Sequence, residues 1–361
     1  MQLRIPGPTP LPDEILQTMT RQMINHRGPQ FAEIIHKVTD ILKAMFQTEG
    51  DVFLLTCSGT GGMEAAIVNT LSPGDKVLVV ANGAFGDRFA DIAEIFGAHV
   101  ERLSFEWGTA VDPQEVRRAL SNDAGIKAVL VTHNETSTAV TNDLAAISAV
   151  VQEYEKLLIV DAISSLGCID LPTDKWGCDV VITGSQKGWM APPGLAMVSV
   201  SDRAWQAQAQ AKMPKYYWDF AKAKKFLEKG QTPWTPAVST FYALDAALEL
   251  LQREGLKNIF ARHARIAAKA REAVKSLGLS LFADESCASN TITAVKATKG
   301  LDSKKLLKIL REEYDTVLAG GQQRLDGKIF RIGHLGYVNE GDIDAVIEAL
   351  KAALPQAGFS G

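Results

Sequence analysis

Short runs of Val, Ile and Leu recur along the chain, separated by stretches that read as helix or turn. They are VFLLT (52–56), KVLVVAN (76–82), HVERLSF (99–105), IKAVLVT (126–132), LLIVDA (157–162), DVVITG (179–184) and LAMVSV (195–200). Strands this continuously apolar are buried on both faces, which predicts a mainly parallel seven-stranded sheet flanked by helices. Only a short segment joins the last two runs, so one strand is expected to run antiparallel. Ahead of the sheet, the Pro-rich first dozen residues read as extended. A helical pattern then runs from about Asp13 to Phe46, broken near HRGPQF. Beyond the sheet, helices are predicted over 240–254 and 256–276. NTITAVKA and KIFRIGHLG then read as strands, and DSKKLLKILREEY and DIDAVIEALKAAL as helices, the spacing of a small α+β unit. The expected division is an extended segment over 1–14, a large α/β domain over 15–250 and a smaller C-terminal domain over 251–361.

Composition narrows the classes. The 361 residues are 46% hydrophobic and 22% charged, an ordinary globular balance with ample core material. A net charge of −4, and no run of basic residues interleaved with aromatics, argue against a nucleic-acid surface. MQLRIPGPTPLPDEI has no basic stretch followed by an apolar one, so no secretory signal is expected. No apolar run approaches the roughly 20 residues that span a bilayer, so no membrane partner is expected. Cys57, Cys168, Cys178 and Cys287 form no C-x-x-C pair, which suggests neither zinc nor a redox motif. Reduced thiols in a cytoplasmic enzyme are the expectation, with no metal.

Two side chains stand out at the ends of apolar runs. Lys187 follows DVVITG, within ITGSQKGWMAPPG, between small residues and just before a Pro-Pro-Gly turn; Asp161 closes LLIVD. Ligands of open α/β sheets bind outside the carboxyl ends of the strands, so both are expected at one edge. An acid and an amine buried together are costly unless something uses both. A third element is FLLTCSGTGGMEAAI, where a strand leads through Ser58-Gly59-Thr60 into a helical pattern whose first N–H groups can face an anion. Neither nucleotide motif fits it. The next strand ends on Asn82 rather than an acid, and no Gly-Lys-Ser/Thr follows the glycines. A lysine for a Schiff base, a carboxylate for a ring nitrogen and a phosphate cup are together what pyridoxal phosphate requires. Taken singly, Asp161 also reads as a helix cap, Arg331 as an ion-pair partner and Phe85 as a core aromatic. His26 and His133 are assigned no chemical step.

The pieces PGPTPLP, CSGTGGMEA, ANGAFGDRF, THNETSTAV, VDAISSLG, GSQKGWMAPPG, TPWTPAVSTFYAL and FRIGHLG span almost the whole chain. In that order they resemble the class V aminotransferases of fold type I, near the alanine–glyoxylate and serine–pyruvate aminotransferase group. The resemblance implies that Lys187 is the Schiff-base lysine and that Asp161 pairs with the pyridine nitrogen. It implies that Ser58, Gly59, Thr60 and Gln186 bind phosphate, that Ser137 or Thr136 bonds the phenolic oxygen, and that Phe85 stacks where many relatives place tryptophan. Arg331 would clamp the substrate carboxylate, with Pro6 and Gly7 lining the pocket. Thr235 would reach the phosphate of a neighbouring subunit, implying a homodimer. Thr232 stands where some relatives carry a phosphate-binding tyrosine. Small amino acids and 2-oxo acids would be the partners: alanine or serine with glyoxylate or pyruvate, or alternatively aspartate with 2-oxoglutarate. Arg27 and Arg324 are possible but unplaced partners for a distal carboxylate. Two rivals share the resemblance. A cysteine desulfurase-like lyase needs a late-chain nucleophilic cysteine, and none follows Cys287. A non-enzymatic hydrogenase-associated subunit has no need of Lys187 or Asp161.

Overall fold

The structure, a computed structural model, describes residues 1–298 and 300–359. Seven strands form the central sheet: β1 (Asp51–Leu55), β2 (Lys76–Ala81), β3 (His99–Ser104), β4 (Ile126–Thr132), β5 (Leu157–Asp161), β6 (Val180–Gly184) and β7 (Ala196–Val200). They lie in the order β1-β7-β6-β5-β4-β2-β3. Strand β7 is antiparallel to both its neighbours, and the other pairings are parallel. The sheet is therefore the mainly parallel one expected, with the odd strand where the short connection put it.

Why the strands read as unbroken apolar runs is visible in the packing. Val129, Val131, Leu158 and Val160 enter one core, while Ala128, Leu130 and Ile159 enter a second core on the opposite face. Alternate side chains point to opposite faces of a strand, so two covered faces require apolar residues at every position. Strand β3 differs. It lies at the sheet edge, no residue of it is fully buried, and its sequence carries His99, Glu101 and Arg102 accordingly.

A third core gathers residues from Ile266 to Ala357 around a small sheet in which Ile329–Gly333 pairs with Ile292–Lys296 and Ala319–Gly320. The first core reaches Ile259, so the two cores hand over within the helix Leu256–Ser276. The first residues are more than an extended lead. Gln2–Leu3 pairs in parallel with Thr316–Val317, and buried Arg4 forms an ion pair with Asp342. The early helical pattern resolves into Asp13–Thr18 and Pro29–Phe46, the second starting on a proline whose missing N–H costs nothing there. Two short strands, Asn134–Glu135 and Val140–Thr141, form a hairpin that no periodicity announces. Among the described residues no helix is long and apolar enough to cross a membrane.

Trp189 anchors the loop after β6. It is fully buried, stacks on Phe46 at 5.9 Å between centroids, and donates from Nε1 to Thr183 Oγ1 at 2.9 Å. Trp189→Ala should destabilise the protein by about 3–5 kcal/mol, read as a lower urea midpoint. An unchanged midpoint would contradict this packing.

Candidate active site

Five strand ends converge at the carboxyl edge of the sheet. Lys187 sits in a tight loop after β6, where Ser185 Oγ donates to Pro192 O at 2.5 Å and accepts from Leu195 N at 3.2 Å. Asp161 ends β5 beside it, in register with Ile182 of β6. The cup Ser58–Gly59–Thr60 follows β1 and opens the helix Gly59–Thr70; Phe85 opens the helix Ala84–Ile95 after β2; Thr136 follows β4.

Ser58, Gly59, Thr60, Phe85, Thr136, Asp161, Gln186 and Lys187 all line one cavity of about 120 Å³. Arg88, Asn134, Ile163 and Ser164 complete its wall, and sequence reasoning passed over them. All four fall inside motifs already quoted, and the signal of Asn134 and Ser164 is structural. Asn134 Nδ2 and Thr136 Oγ1 both donate to Ser164 Oγ, at 2.8 and 2.7 Å, locking the β4 and β5 loops together. Arg88 lies one helical turn beyond Phe85, with its guanidinium 4.7 Å from that ring's centroid.

Pro6 and Gly7 lie at the lysine itself. Lys187 Nζ donates to Pro6 O at 2.6 Å. Gly7 has φ +133°, and a Cβ there would stand 2.7 Å from Nζ, so only glycine lets the N-terminal segment cross the lysine.

Other expected residues stand outside the cavity wall. Ser137 is fully buried and turned to Glu135 and to Ala84 N, which leaves Thr136 as the hydroxyl at the cavity. Arg331 is buried just behind Thr136, donating from Nη1 to Thr136 O at 3.0 Å and from Nε to Gly320 O at 2.9 Å. Thr235 is exposed on the surface. Thr232 is buried, with its hydroxyl donated to Trp234 O at 2.6 Å. Arg27 is spent on Thr232 O and Pro233 O, and Arg324 lies over Trp107. His133 is buried against Ser165, and burial holds its pKa down to about 4, so it is neutral and structural.

The electrostatics are those of two desolvated groups facing each other. Burial pulls the Lys187 pKa down to about 8, with Asp161 working against it and Arg331 and Arg88 adding to it. Burial pushes Asp161 up to about 7 against the Ile163 N–H, while the Glu135 charge adds to the rise. Asp161 does hold a turn, its Oδ1 accepting from Ile163 N at 2.9 Å, but with one oxygen only.

The residues fit pyridoxal phosphate. Ser58 occupies the N-cap position of its helix without capping it, which leaves the first N–H groups available to an anion. Gln186 Oε1 is buried with no partner, and exchanging the amide's oxygen and nitrogen brings the Nε2 donor to that point, where an anion would satisfy it. Asp161 and Lys187 line the same cavity, a carboxylate suited to a ring nitrogen and an amine suited to an aldehyde.

The Asp161 shift has a stability consequence. The folded protein binds the Asp161 proton up to about pH 7, and the unfolded chain only to about 3.8. Between those values the native state holds more protons, so stability falls as pH rises. The cofactor-free protein should lose thermal stability from pH 4 to 7 relative to Asp161→Asn, measured by scanning calorimetry. Parallel profiles for the two proteins would refute the shift.

Comparisons with known proteins agree with this geometry. The sequence profile described as "Aminotransferase class-V" matches residues 3–344. A protein of Synechococcus sp. (strain PCC 6716) named "Soluble hydrogenase, small subunit" is 47% identical over 99% of this chain and 94% of its own length. The L-aspartate–glyoxylate aminotransferase of Paracoccus denitrificans is 39% identical over 93% of this chain and 86% of its own. The solved structure of an alanine–glyoxylate aminotransferase from Nostoc sp. superposes with a TM-score of 0.94 at 31% identity, covering 98% of this chain and 95% of that one. The chain thus belongs to the class V aminotransferases, enzymes of fold type I that depend on pyridoxal phosphate.

Proposed function

We propose that the protein transfers the amino group of a small amino acid, alanine or serine, to glyoxylate or pyruvate, using pyridoxal phosphate joined to Lys187. The observation that carries the cofactor part of this reading is the desolvated Asp161–Lys187 pair in one cavity with an uncapped helix N-terminus, and the glyoxylate acceptor follows the names of the Paracoccus and Nostoc proteins. When bound, the cofactor supplies an electron sink conjugated to the substrate's α-carbon. Asp161 would keep the ring nitrogen protonated. Ser58, Gly59, Thr60 and the Gln186 amide would hold the phosphate, Thr136 would reach the phenolic oxygen, and Phe85 would stack on the ring. Arg331 would receive the substrate carboxylate through the donors left over on Nη1 and Nη2, since only Nε and one Nη1 bond are spent on Gly320 O and Thr136 O. Once the substrate amino group has displaced it from the cofactor, the Lys187 amine, with a pKa near 8, would take the α-proton at Nζ and return it in the reverse half. Pro6 and Gly7 close the cavity over Nζ and exclude water from it. Thr235, which is exposed, would reach the phosphate in a second copy of the chain, a homodimer with shared sites.

A second reading for the donor rests on Arg88. It lines the cavity, and no carboxylate among the described residues pairs with it. A free guanidinium there suits the second carboxylate of aspartate. The hydrogenase-subunit rival shares the name of the Synechococcus relative, and the lyase rival gains no support. Cys57, Cys168, Cys178 and Cys287 do not line the cavity, and burial raises the pKa of each, the reverse of what a nucleophile needs. A subunit without chemistry of its own has no use for a desolvated lysine beside an aspartate.

A panel of amino donors against glyoxylate, pyruvate and 2-oxoglutarate tests the assignment. Alanine and serine with glyoxylate should turn over fastest. Arg331→Ala should lower kcat/KM about a hundredfold for every donor, the loss of two charge-assisted hydrogen bonds worth ~1.5 kcal/mol each. Preference for aspartate, lost in Arg88→Gln, would replace the donor assignment. No turnover with any pair would overturn the reading.

A further inference from the structure

Glu135 is fully buried, and none of the roles assigned above uses it. It lies in the hairpin after β4, and its carboxylate reaches across to the helix Ala84–Ile95. Oε2 accepts from Phe85 N at 3.1 Å and Gly86 N at 3.0 Å. Oε1 accepts from Ser137 N at 3.0 Å and from the Ser137 hydroxyl at 2.5 Å. Ser137 Oγ in turn accepts from Ala84 N at 2.9 Å. The helix has no cap of its own, because Gly83 precedes it. A Cβ on Gly83 would stand 2.3 Å from Glu135 Cδ, so glycine there makes room for the carboxylate.

Three N–H groups of the first turn are thus satisfied by a unit distant in sequence, where helices leave such groups unpaired. A negative charge at that end also meets the positive pole of the helix. Burial raises the Glu135 pKa, and the Ser137 hydroxyl together with the Gly86, Ser137 and Phe85 N–H groups works against that rise, since each is bonded to an accepting Glu135 oxygen. Phe85 is the residue so tethered, and its ring lines the cavity.

We propose that Glu135 is a positioning residue: by capping the first turn of the helix Ala84–Ile95 it fixes the Phe85 ring against the cofactor ring, and so sets cofactor affinity without touching the cofactor. This rests on the pyridoxal-phosphate reading of the cavity. Glu135→Gln keeps the size of the side chain but loses the charge and turns an amide N–H toward backbone donors.

The test is binding of pyridoxal phosphate to the cofactor-free full chain, followed by tryptophan fluorescence, in the wild type, Glu135→Gln, Phe85→Leu and the double variant. Glu135→Gln should weaken binding about tenfold. The double variant should bind no more weakly than the worse single one, because both changes act through one ring. A generally structural role would instead make the two losses multiply. Ser137→Ala, which removes one donor and the acceptor of Ala84 N without altering charge, should weaken binding less and be non-additive with Phe85→Leu in the same way. That second cycle decides the matter if Glu135→Gln does not fold. Tight binding in both Glu135→Gln and Ser137→Ala, or losses that multiply with Phe85→Leu, overturns the proposal and leaves the cavity reading intact. A wild type that binds no pyridoxal phosphate overturns both.

Discussion

An aspartate and a lysine are held out of water at the same sheet edge, and neither can be charged there without cost. Burial answers by drawing their pKa values together, to about 7 and about 8, so that both sit near neutrality. In a solvated loop the same two residues would form an ordinary ion pair with an unreactive ammonium. Here the amine is easily deprotonated and the acid is poised to meet a protonated ring nitrogen. A cationic ring would compensate Asp161, and a bond to its aldehyde carbon would occupy the amine.

The rest of the chain maintains that desolvation. Adjacent parallel strands place the two groups side by side, and the antiparallel β7 lets the loop carrying Lys187 turn back at once on the sheet. The N-terminal segment crosses the lysine through Gly7 and bonds onward through Thr9, whose hydroxyl donates to Lys187 O at 3.2 Å. Beside Thr9, Gly336 comes so close that a Cβ would stand 2.8 Å from Lys187 O. Arg262 holds that loop, bonding Gly336 O and Val338 O while paired with Glu254. The small C-terminal unit is thereby tied to the lysine backbone as well as to its own core.

Much of this was legible in the residue pattern. Sheets covered on both faces demand unbroken apolar strands, and those strands announced themselves, along with the short connection that makes β7 antiparallel. Lys187 and Asp161 were legible because each ends such a strand. The hairpin around Glu135 was not, since two-residue strands have no periodicity to read. Glu135 itself looked like one polar residue among several in THNETST, and its role depends on a helix 50 residues away. Arg88 was hidden for a similar reason: helical spacing places it over Phe85, but only the folded cavity brings it to the wall. The choice between Ser137 and Thr136 stayed open in sequence because adjacent residues in a loop follow no fixed alternation. The structure turns Ser137 toward Glu135 and Thr136 toward the cavity.

Chemical trapping addresses the centre of the account. Purified protein loaded with pyridoxal phosphate is reduced with borohydride, digested, and the modified peptide identified by mass spectrometry. A single pyridoxyl group on the peptide carrying Lys187, at one equivalent per chain, is the predicted result. Labelling spread over surface lysines with Lys187 unmodified would contradict it.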